Sequence, residues 1–196
     1  MTRVLSFKPV FLTLAVAVLA ALSFQPAQGK TIFDALPHTN DSDVPFYMEF
    51  SASSTLPPSK TGNYEPGNVD DDDPGTAWVE GAKGHGVGEW IQVEFTGEFT
   101  EVPISKIGII SGYAKGERFK QNNRIKKAQL VFSNGRRVSI NLKDTAEMQY
   151  FSFEPVLTDK VKLVIEDVYP GTKWDDTCIS EIEFHVPDDF VFKVKE

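Results

Sequence analysis

Apolar and polar residues alternate along several short segments of the chain. The clearest is Glu89–Phe95, where Ile91, Val93 and Phe95 fall on one face. The same period of two recurs at residues 124–132, 138–142, 149–153, 159–166 and 179–186. Because successive side chains of a strand point to opposite faces, each segment predicts a β-strand with one buried face.

Two further patterns refine this prediction. Residues 105–111 read S-K-I-G-I-I-S and are nearly all apolar at the centre, as in a strand covered on both faces. Ser133-Asn134-Gly135 separates two alternating runs, and Asn-Gly in that position is a strong β-hairpin signal.

The fold class follows from these segments. After residue 29, no stretch of twelve residues has an apolar period of 3.6, and Gly, Pro, Asn and Asp interrupt the chain about every ten residues. About eight short strands joined by turns predict an all-β protein, an antiparallel β-sandwich of the jelly-roll type. We predict one domain over residues 47–187, a leader or linker over 30–46 and a C-terminal tail over 188–196.

The first 29 residues have the features of an export signal. Arg3 and Lys8 are basic, Val10–Leu22 is an apolar run, and small residues at 27–29 offer a cleavage site. The apolar run is shorter than the ~20 residues of a membrane-spanning helix, and no second run follows. We therefore predict a Sec-type signal peptide, a secreted or periplasmic protein and no transmembrane span in the mature chain. The alternative is an uncleaved N-terminal anchor.

Charge and cysteine content exclude several classes of function. The chain has 20 Lys+Arg against 28 Asp+Glu, a net charge of −8, and removal of the signal peptide would take away two basic residues and no acidic one. An acidic protein repels nucleic acid, so we expect no nucleic-acid partner. The single cysteine, Cys178, excludes an intramolecular disulfide and a thiolate zinc cluster, and we expect it to be buried.

Three segments carry a family resemblance. Residues 68–78 read N-V-D-D-D-D-P-G-T-A-W, residues 88–95 read G-E-W-I-Q-V-E-F, and residues 177–184 read T-C-I-S-E-I-E-F. In this order they resemble the discoidin family, also called coagulation-factor type C domains, and the related carbohydrate-binding modules of galactose-binding-like fold. Asp72 stands where that family usually has glycine.

A narrower resemblance involves residues 76–81, 112–115, 122–124 and 176–181. These runs are similar to a bacterial branch that includes the translocation, or glycan-binding, domain attached to secreted NAD glycohydrolases. The resemblance implies the accessory module and not the enzyme activity.

The acidic segment is a candidate cation site. Ca²⁺ prefers six to eight oxygen ligands, and Asp71, Asp73 and Thr76 supply oxygens within one short loop. In the resembled sandwiches a structural calcium is often held by this loop and by a Glu of the last strand, which here would be Glu181. The alternative is a solvated acidic turn without metal.

Two other loops are candidates for ligand binding. Aromatic rings stack on sugar faces and planar donors bridge sugar hydroxyls, so we predict a site that joins residues of loops 112–124 and 169–176. Arg118, Lys120 and Asn122 lie in the first loop as well, and its basic character would suit an acidic sugar or a carboxylate ligand. The alternative is that both loops are ordinary solvated connections. The predicted ligand-binding residues are Tyr113, Lys115, Asn123, Arg124 and Trp174.

Two common catalytic motifs are missing from the sequence. The glycine-rich segment 81–88 lacks the Lys-Ser/Thr ending of a phosphate-binding loop, and no histidine accompanies a G-x-S-x-G nucleophile. We therefore expect a non-catalytic module that binds a glycan or a cell-surface polymer. The alternatives are a translocation or adaptor domain with a protein partner and a small hydrolase that uses the acidic loop as a metal site.

Overall fold

The computed structural model describes residues 30–36, 46–60 and 62–192. The predicted signal peptide, residues 37–45 of the predicted leader and the last four residues lie outside the described residues. The described residues form ten strands, namely β1 (Lys30–Thr31), β2 (Phe46–Ala52), β3 (Trp78–Val79), β4 (Trp90–Gly97), β5 (Val102–Ser111), β6 (Asn123–Phe132), β7 (Arg137–Asn141), β8 (Gln149–Thr158), β9 (Lys160–Tyr169) and β10 (Thr177–Val186).

Helices contribute little to the fold. Single-turn helices cover Ile32–Ala35 (α1) and Arg118–Gln121 (α2), and a 3₁₀ helix covers Pro66–Asp70. None of these helices, nor any other in the described part of the chain, has the length that crossing a membrane requires.

The strands form the two layers of a β-sandwich. One layer has the order β2-β4-β9-β6-β7, and the other has the order β8-β5-β10, with β1 and β3 also paired to β10. Pairing between strands is antiparallel except at the starts of β6 and β10, where Asn123 lies opposite Thr177 and Arg124 opposite Cys178. This short parallel contact connects the two layers. The predicted antiparallel β-sandwich is confirmed.

The core lies between the layers and uses the alternating residues. The ring of Phe95 in β4 packs edge-on against Phe184 in β10, with centroids 5.7 Å apart. Phe132 in β6 contacts Phe153 in β8 in the same way at 5.5 Å. These strands belong to different layers, so the contacts show that the faces predicted to be apolar do meet. Cys178 is buried, as predicted.

The predicted hairpin is present between β6 and β7. The Gly135 N–H donates to the Phe132 carbonyl at 2.9 Å, and the φ angle of Gly135 is 86°. A positive φ strains residues that carry a β-carbon, which explains the glycine at this position.

The structure corrects the predicted boundaries of the domain. Residues 30–36 are not a linker, because β1 pairs with the end of β10 and the side chains of Ile32 and Ala35 are buried in the core. In the predicted tail, Phe192 is also buried, and its ring lies 5.9 Å from that of Phe46. Both segments are too short to show an apolar period, so the sequence pattern missed them.

The sandwich has two distinct ends. The starts of β4, β6 and β10 and the ends of β2, β5 and β9 lie at one end, which we call the loop end. Segments 53–60, 62–77, 80–89, 112–122 and 170–176 meet there. The opposite end carries β1, the β6–β7 hairpin and the end of β10.

Candidate functional site

A cavity with a volume of about 280 Å³ opens at the loop end. Its apolar walls are formed by Leu56, Tyr64, Val79, Tyr113 and Trp174. Its polar groups belong to Ser59, Arg118, Asn122 and Asp176. The two predicted stacking residues, Tyr113 and Trp174, therefore line one cavity, although they are 61 positions apart in the sequence.

Tyr113 is mostly part of the packing around the cavity. Its side chain is only 5% exposed and belongs to a small buried cluster with Tyr64, Val79 and Cys178. The guanidinium of Arg118 lies 5.1 Å from the ring centroid. Burial raises the pKa of the Tyr113 hydroxyl, and the positive charge of Arg118 opposes that rise. Tyr113 thus offers the cavity a wall rather than a free ring.

Trp174 is the more accessible ring. It is 38% exposed, and the Lys173 ammonium lies 4.3 Å from the ring centroid. The backbone N–H of Trp174 donates to the Gln121 carbonyl at 2.9 Å, which fixes the Trp174 loop against the end of α2. An accessible ring on a fixed backbone is suited to stacking against an apolar ligand face.

The polar groups of the cavity differ in their environment. The Asn122 side chain donates to the Arg118 carbonyl at 2.9 Å, and the Ser59 and Tyr64 hydroxyls are 3.0 Å apart. Burial, followed by the negative charge of Asp175, raises the pKa of Asp176. The cavity therefore offers a cationic donor, an amide and a partly desolvated carboxyl group.

The structure places the predicted donor Asn123 behind the cavity wall. Its side chain is fully buried, and its Oδ1 accepts the Gly171 N–H at 2.7 Å. Its Nδ2 donates to the Asp175 carbonyl and lies 3.1 Å from Nδ1 of His85. One side chain thus holds both ends of the loop that carries Trp174.

Arg124 has a similar supporting position. It is 5% exposed, and its guanidinium makes a bidentate ion pair with Asp144, with Nε to Oδ1 at 2.9 Å and Nη2 to Oδ2 at 3.0 Å. Its Nη1 donates to the carbonyls of Asn122 and Pro170, each at 2.9 Å. Hydrogen bonding to Arg124 lowers the pKa of Asp144.

The donors that face the cavity therefore differ from the predicted ones. Asn123 and Arg124 have their polar groups engaged within the fold, and Lys115 is exposed without lining the cavity. Arg118 and Asn122 take the expected place. Their proximity to the tyrosine was visible in the sequence, but the direction of each side chain was not.

The start of β10 is held by a buried carboxyl group. Glu80 is fully buried, and its two oxygens accept the backbone N–H groups of Thr177 at 3.2 Å and Ala82 at 2.7 Å. Burial raises the pKa of Glu80. This side chain joins the glycine-rich segment 81–88 to the strand beside the cavity, a role that the sequence did not indicate.

The acidic loop folds around its own side chains. Asp71 accepts the Asp73 N–H at 3.0 Å and the Thr76 hydroxyl at 2.8 Å. Asp72 has a φ of 58°, the only positive φ of a non-glycine residue among those described. That conformation explains why a glycine usually stands at this position in the resembled family.

Glu181 lies on the face of β10 opposite the core residue Ile182 and next to the acidic loop. It is 7% exposed, and its Oε1 is buried without a hydrogen-bond partner among the described residues. Burial and the negative charges of Asp71 and Asp72 raise the pKa of Glu181 to about 7. The structure thus brings the predicted loop and the predicted strand residue together.

The negative charge around Glu181 would suit a cation, whereas the positions of the described side chains do not match a metal site. Burial and the negative charges of Asp72 and Asp71 also raise the pKa of Asp70 to about 6. The negative charge of Asp70, unlike that of Asp73, is among those that raise the pKa of Glu181. In the described ranges, no three carboxylate, imidazole or thiolate side chains converge closely enough to hold a metal ion.

The sequence matches the model of a known protein family. The sequence model of the NAD glycohydrolase translocation F5/8 type C domain matches residues 42–185. No curated protein is similar to the chain in sequence.

Solved structures of carbohydrate-binding modules share the fold. A Clostridium perfringens module, CpGH89CBM32-5, solved in complex with GalNAc-β-1,3-galactose, has a TM-score of 0.54 and 18% identity over 70% of this chain and 94% of its own. The family 32 module of C. perfringens NanJ, in complex with galactose, has a TM-score of 0.52 and 17% identity over 70% and 92%. The mycobacterial arabinofuranosyltransferase AftD has a TM-score of 0.57 and 16% identity over 81% of this chain and 12% of its own.

Proposed function

Because the chain belongs to the family of the NAD glycohydrolase translocation F5/8 type C domain, we propose that it is a non-catalytic module that binds a glycan or a cell-surface polymer. The observation that carries this proposal is the cavity at the loop end, in which the accessible ring of Trp174 lies beside the polar groups of Arg118, Asn122 and Asp176.

The chemistry of the cavity suits a sugar. The apolar face of a sugar ring packs on an aromatic side chain, and its hydroxyl groups act both as donors and as acceptors. Trp174 supplies the ring, Arg118 and Asn122 supply donors, and Asp176 supplies an acceptor. The loop backbones are fixed by buried hydrogen bonds, so the site would lose little conformational freedom on binding.

Two structural relatives support this proposal. The modules from C. perfringens were solved with GalNAc-β-1,3-galactose and with galactose, and each spans about the same length as this domain. Their similarity to this chain is one of fold.

The experiment is a glycan-array screen of the purified domain, followed by calorimetric titration of the best ligand. We expect Trp174→Ala to lower the affinity on the order of tenfold or more without unfolding the domain. Tyr47→Ala removes an aromatic side chain that is 59% exposed on β2 and serves as the matched control. Tyr113 is not suited to this test, because loss of its buried ring would disturb the packing.

Two results would contradict the proposal. One is a folded wild-type domain that binds no glycan on the array. The other is a Trp174→Ala variant that binds as tightly as the wild type.

We also propose a structural calcium site between the acidic loop and β10, formed by Glu181, Asp71 and neighbouring oxygens, with Asp73 and Thr76 shaping the loop. The support is the Oε1 of Glu181, which has no hydrogen-bond partner in the described part of the chain, together with the nearby charges of Asp70, Asp71 and Asp72. A ligand that binds only the folded state stabilises it by about 2.7 kcal/mol at a hundredfold excess over Kd. We expect calcium to raise the melting temperature of chelator-treated protein, and Glu181→Gln to abolish that rise. An unchanged melting temperature would leave the loop as a metal-free turn.

We further propose that the protein is exported, on the strength of the signal-like residues 1–29. Mass spectrometry of the native product should find a mature N-terminus near Lys30. An intact Met1 would contradict export with cleavage.

The family description favours a second candidate function, a translocation or adaptor role with a protein partner. It predicts that the domain binds an NAD glycohydrolase in sedimentation experiments without any glycan. A domain that binds glycan but sediments alone in such mixtures would favour the first candidate.

A further inference from the structure

Two opposite charges share the cavity without forming a pair. Arg118 and Asp176 both line it. None of the ion pairs among the described residues involves either side chain. Opposite charges lower their energy when they pair. Because these two side chains do not pair with each other, both charges remain available to a ligand.

The surroundings of Arg118 make it the anion-binding side. Its guanidinium lies over the Tyr113 ring, a cation–π contact that holds the group in place without neutralising its charge. Lys173 adds a second positive charge above the Trp174 ring. Lys120, by contrast, is engaged with Asp144 at 3.0 Å and does not contribute a free cation.

Asp176 favours a hydrogen-bond donor on the ligand, whereas Arg118 favours an anion. Its raised pKa has burial and Asp175 as its causes, and Arg118 does not relieve it. A ligand that places a donor such as a hydroxyl group against Asp176 would stabilise this carboxylate. A ligand that is anionic throughout would be repelled by it.

We propose that the cavity recognises a sugar that bears a single carboxylate, with the carboxylate on Arg118 and the ring hydroxyls on Asp176 and Asn122. This inference rests on the proposed function and specifies its ligand class. The planar fork of a guanidinium matches the two oxygens of a carboxylate, which gives short and strong hydrogen bonds.

The size of the cavity suits a single sugar unit. Its volume of about 280 Å³ lies just below that of most small-molecule sites, which span roughly 300–1,000 Å³. The Trp174 ring, being exposed at the rim, would then stack on that same unit. A uronic acid at the end of a chain satisfies all of these conditions.

The experiment compares matched sugars that differ in one substituent and in charge. Galactose, galacturonic acid and galactosamine are titrated into the wild-type domain, with glucose and glucuronic acid as a second pair. We expect each uronic acid to bind at least about tenfold more tightly than its neutral partner, because hydrogen bonds to charged groups are the stronger ones. The preference should weaken as salt concentration rises.

Two variants test the role of Arg118. Arg118→Gln should remove the preference, so that the uronic acid binds no more tightly than its neutral partner. Lys115→Gln removes an exposed positive charge from the same loop without altering the cavity, and it should keep the preference. Circular dichroism and melting curves establish that both variants are folded, and the wild-type comparison stands on its own if one is not.

The outcomes separate this inference from the proposed function. Equal affinity for the neutral and uronic sugars, or a preference for galactosamine, would overturn the inference and leave glycan binding intact. If the wild-type domain binds none of the sugars and none on the array, the proposed function fails and the inference fails with it.

Discussion

Asn123 and Arg124 stand at the start of β6 and support the cavity without lining it. Asn123 holds Gly171 and Asp175 at the two ends of the Trp174 loop, and Arg124 holds Pro170. A buried amide that satisfies backbone groups on two sides has no freedom to turn toward a ligand. At this scale, the shape of the proposed site depends on residues that do not line the cavity.

The first prediction concerns Asn123. Asn123→Ala leaves the Gly171 N–H without its partner, which should lower the free energy of unfolding by about 1–3 kcal/mol. The freed loop should also weaken ligand binding, because Trp174 loses its fixed position. Denaturant melts and calorimetric titration measure both effects.

The matched control for this prediction is Asn141→Ala, at an exposed position of β7. It should change neither stability nor affinity appreciably. If Asn123→Ala lowers stability but leaves the affinity unchanged, the loop does not depend on this clamp for its function.

The second prediction concerns the ionisation of Glu181 in calcium-free protein. The folded-state pKa of about 7 lies above the ordinary value of 4.5, so the folded state binds more protons between these two values. Stability should therefore be greatest below about pH 4.5 as far as this group is concerned. It should fall as pH rises through 7, by on the order of 3 kcal/mol in total.

Chemical denaturation at a series of pH values measures this effect. Glu181→Gln should flatten the fall between pH 4.5 and 7, whereas Glu94→Gln, at an exposed site of β4, should not. Saturating calcium should also remove the fall, since a bound cation favours the ionised carboxylate. A wild-type profile identical to that of Glu181→Gln would contradict the assignment.

At the scale of elements, the acidic loop is a turn that its sequence only partly suits. Asp72 adopts a left-handed conformation with φ of 58°, and it adds a negative charge near Glu181. The third prediction is that Asp72→Gly raises the stability of metal-free protein by about 1 kcal/mol or more, through relief of backbone strain and of repulsion.

Asp72→Asn separates the two causes. Asparagine tolerates the left-handed conformation but carries no charge, so its effect reports the repulsion, and the remaining gain of the glycine variant reports the strain. Thermal melts in chelator give both values. A glycine variant less stable than the wild type would show that Asp72 makes a favourable contact in the turn.

The sequence predicted long elements well and short ones poorly. In β4 a buried residue alternates with a more exposed one from Trp90 to Phe95, and in β9 from Lys160 to Ile165, so a period of two is visible in their residues. β1 and β3 have two residues each, too few for any period, and they exist because β10 offers them hydrogen-bonding partners. Such pairings join residues far apart in the chain and leave no local signal.

The same reasoning applies to the site. The sequence placed an aromatic residue in each of two loops, and the sandwich topology brought Tyr113 and Trp174 to one cavity. It did not show which donors face that cavity, because in an irregular loop the direction of a side chain follows from tertiary hydrogen bonds. Tyr64 and Asp176 joined the site for the same reason.

In the whole molecule, the cavity lies at one end of the sandwich and the contacts between β1 and β10 lie at the other end. β10 is ten residues long, so its two ends are roughly 30 Å apart. Glu80 holds the start of β10 beside the cavity, and β1 pairs with the last residues of β10 at the opposite end. Damage at one end should therefore leave the geometry of the other end unchanged.

The last prediction tests this separation with Ile32→Ala. Ile32 is 1% exposed at the end that carries β1, and loss of its buried methyl groups should lower the free energy of unfolding by about 2–5 kcal/mol. Because the sandwich is a close-packed framework, the loop end should keep its shape while the domain remains folded. Ligand affinity measured well below the lowered melting temperature should equal that of the wild type. Val79→Ala, a substitution in the cavity wall that is also buried, is the counterpart that should lower stability and affinity together. A loss of affinity in Ile32→Ala would mean that the two ends are coupled through β10.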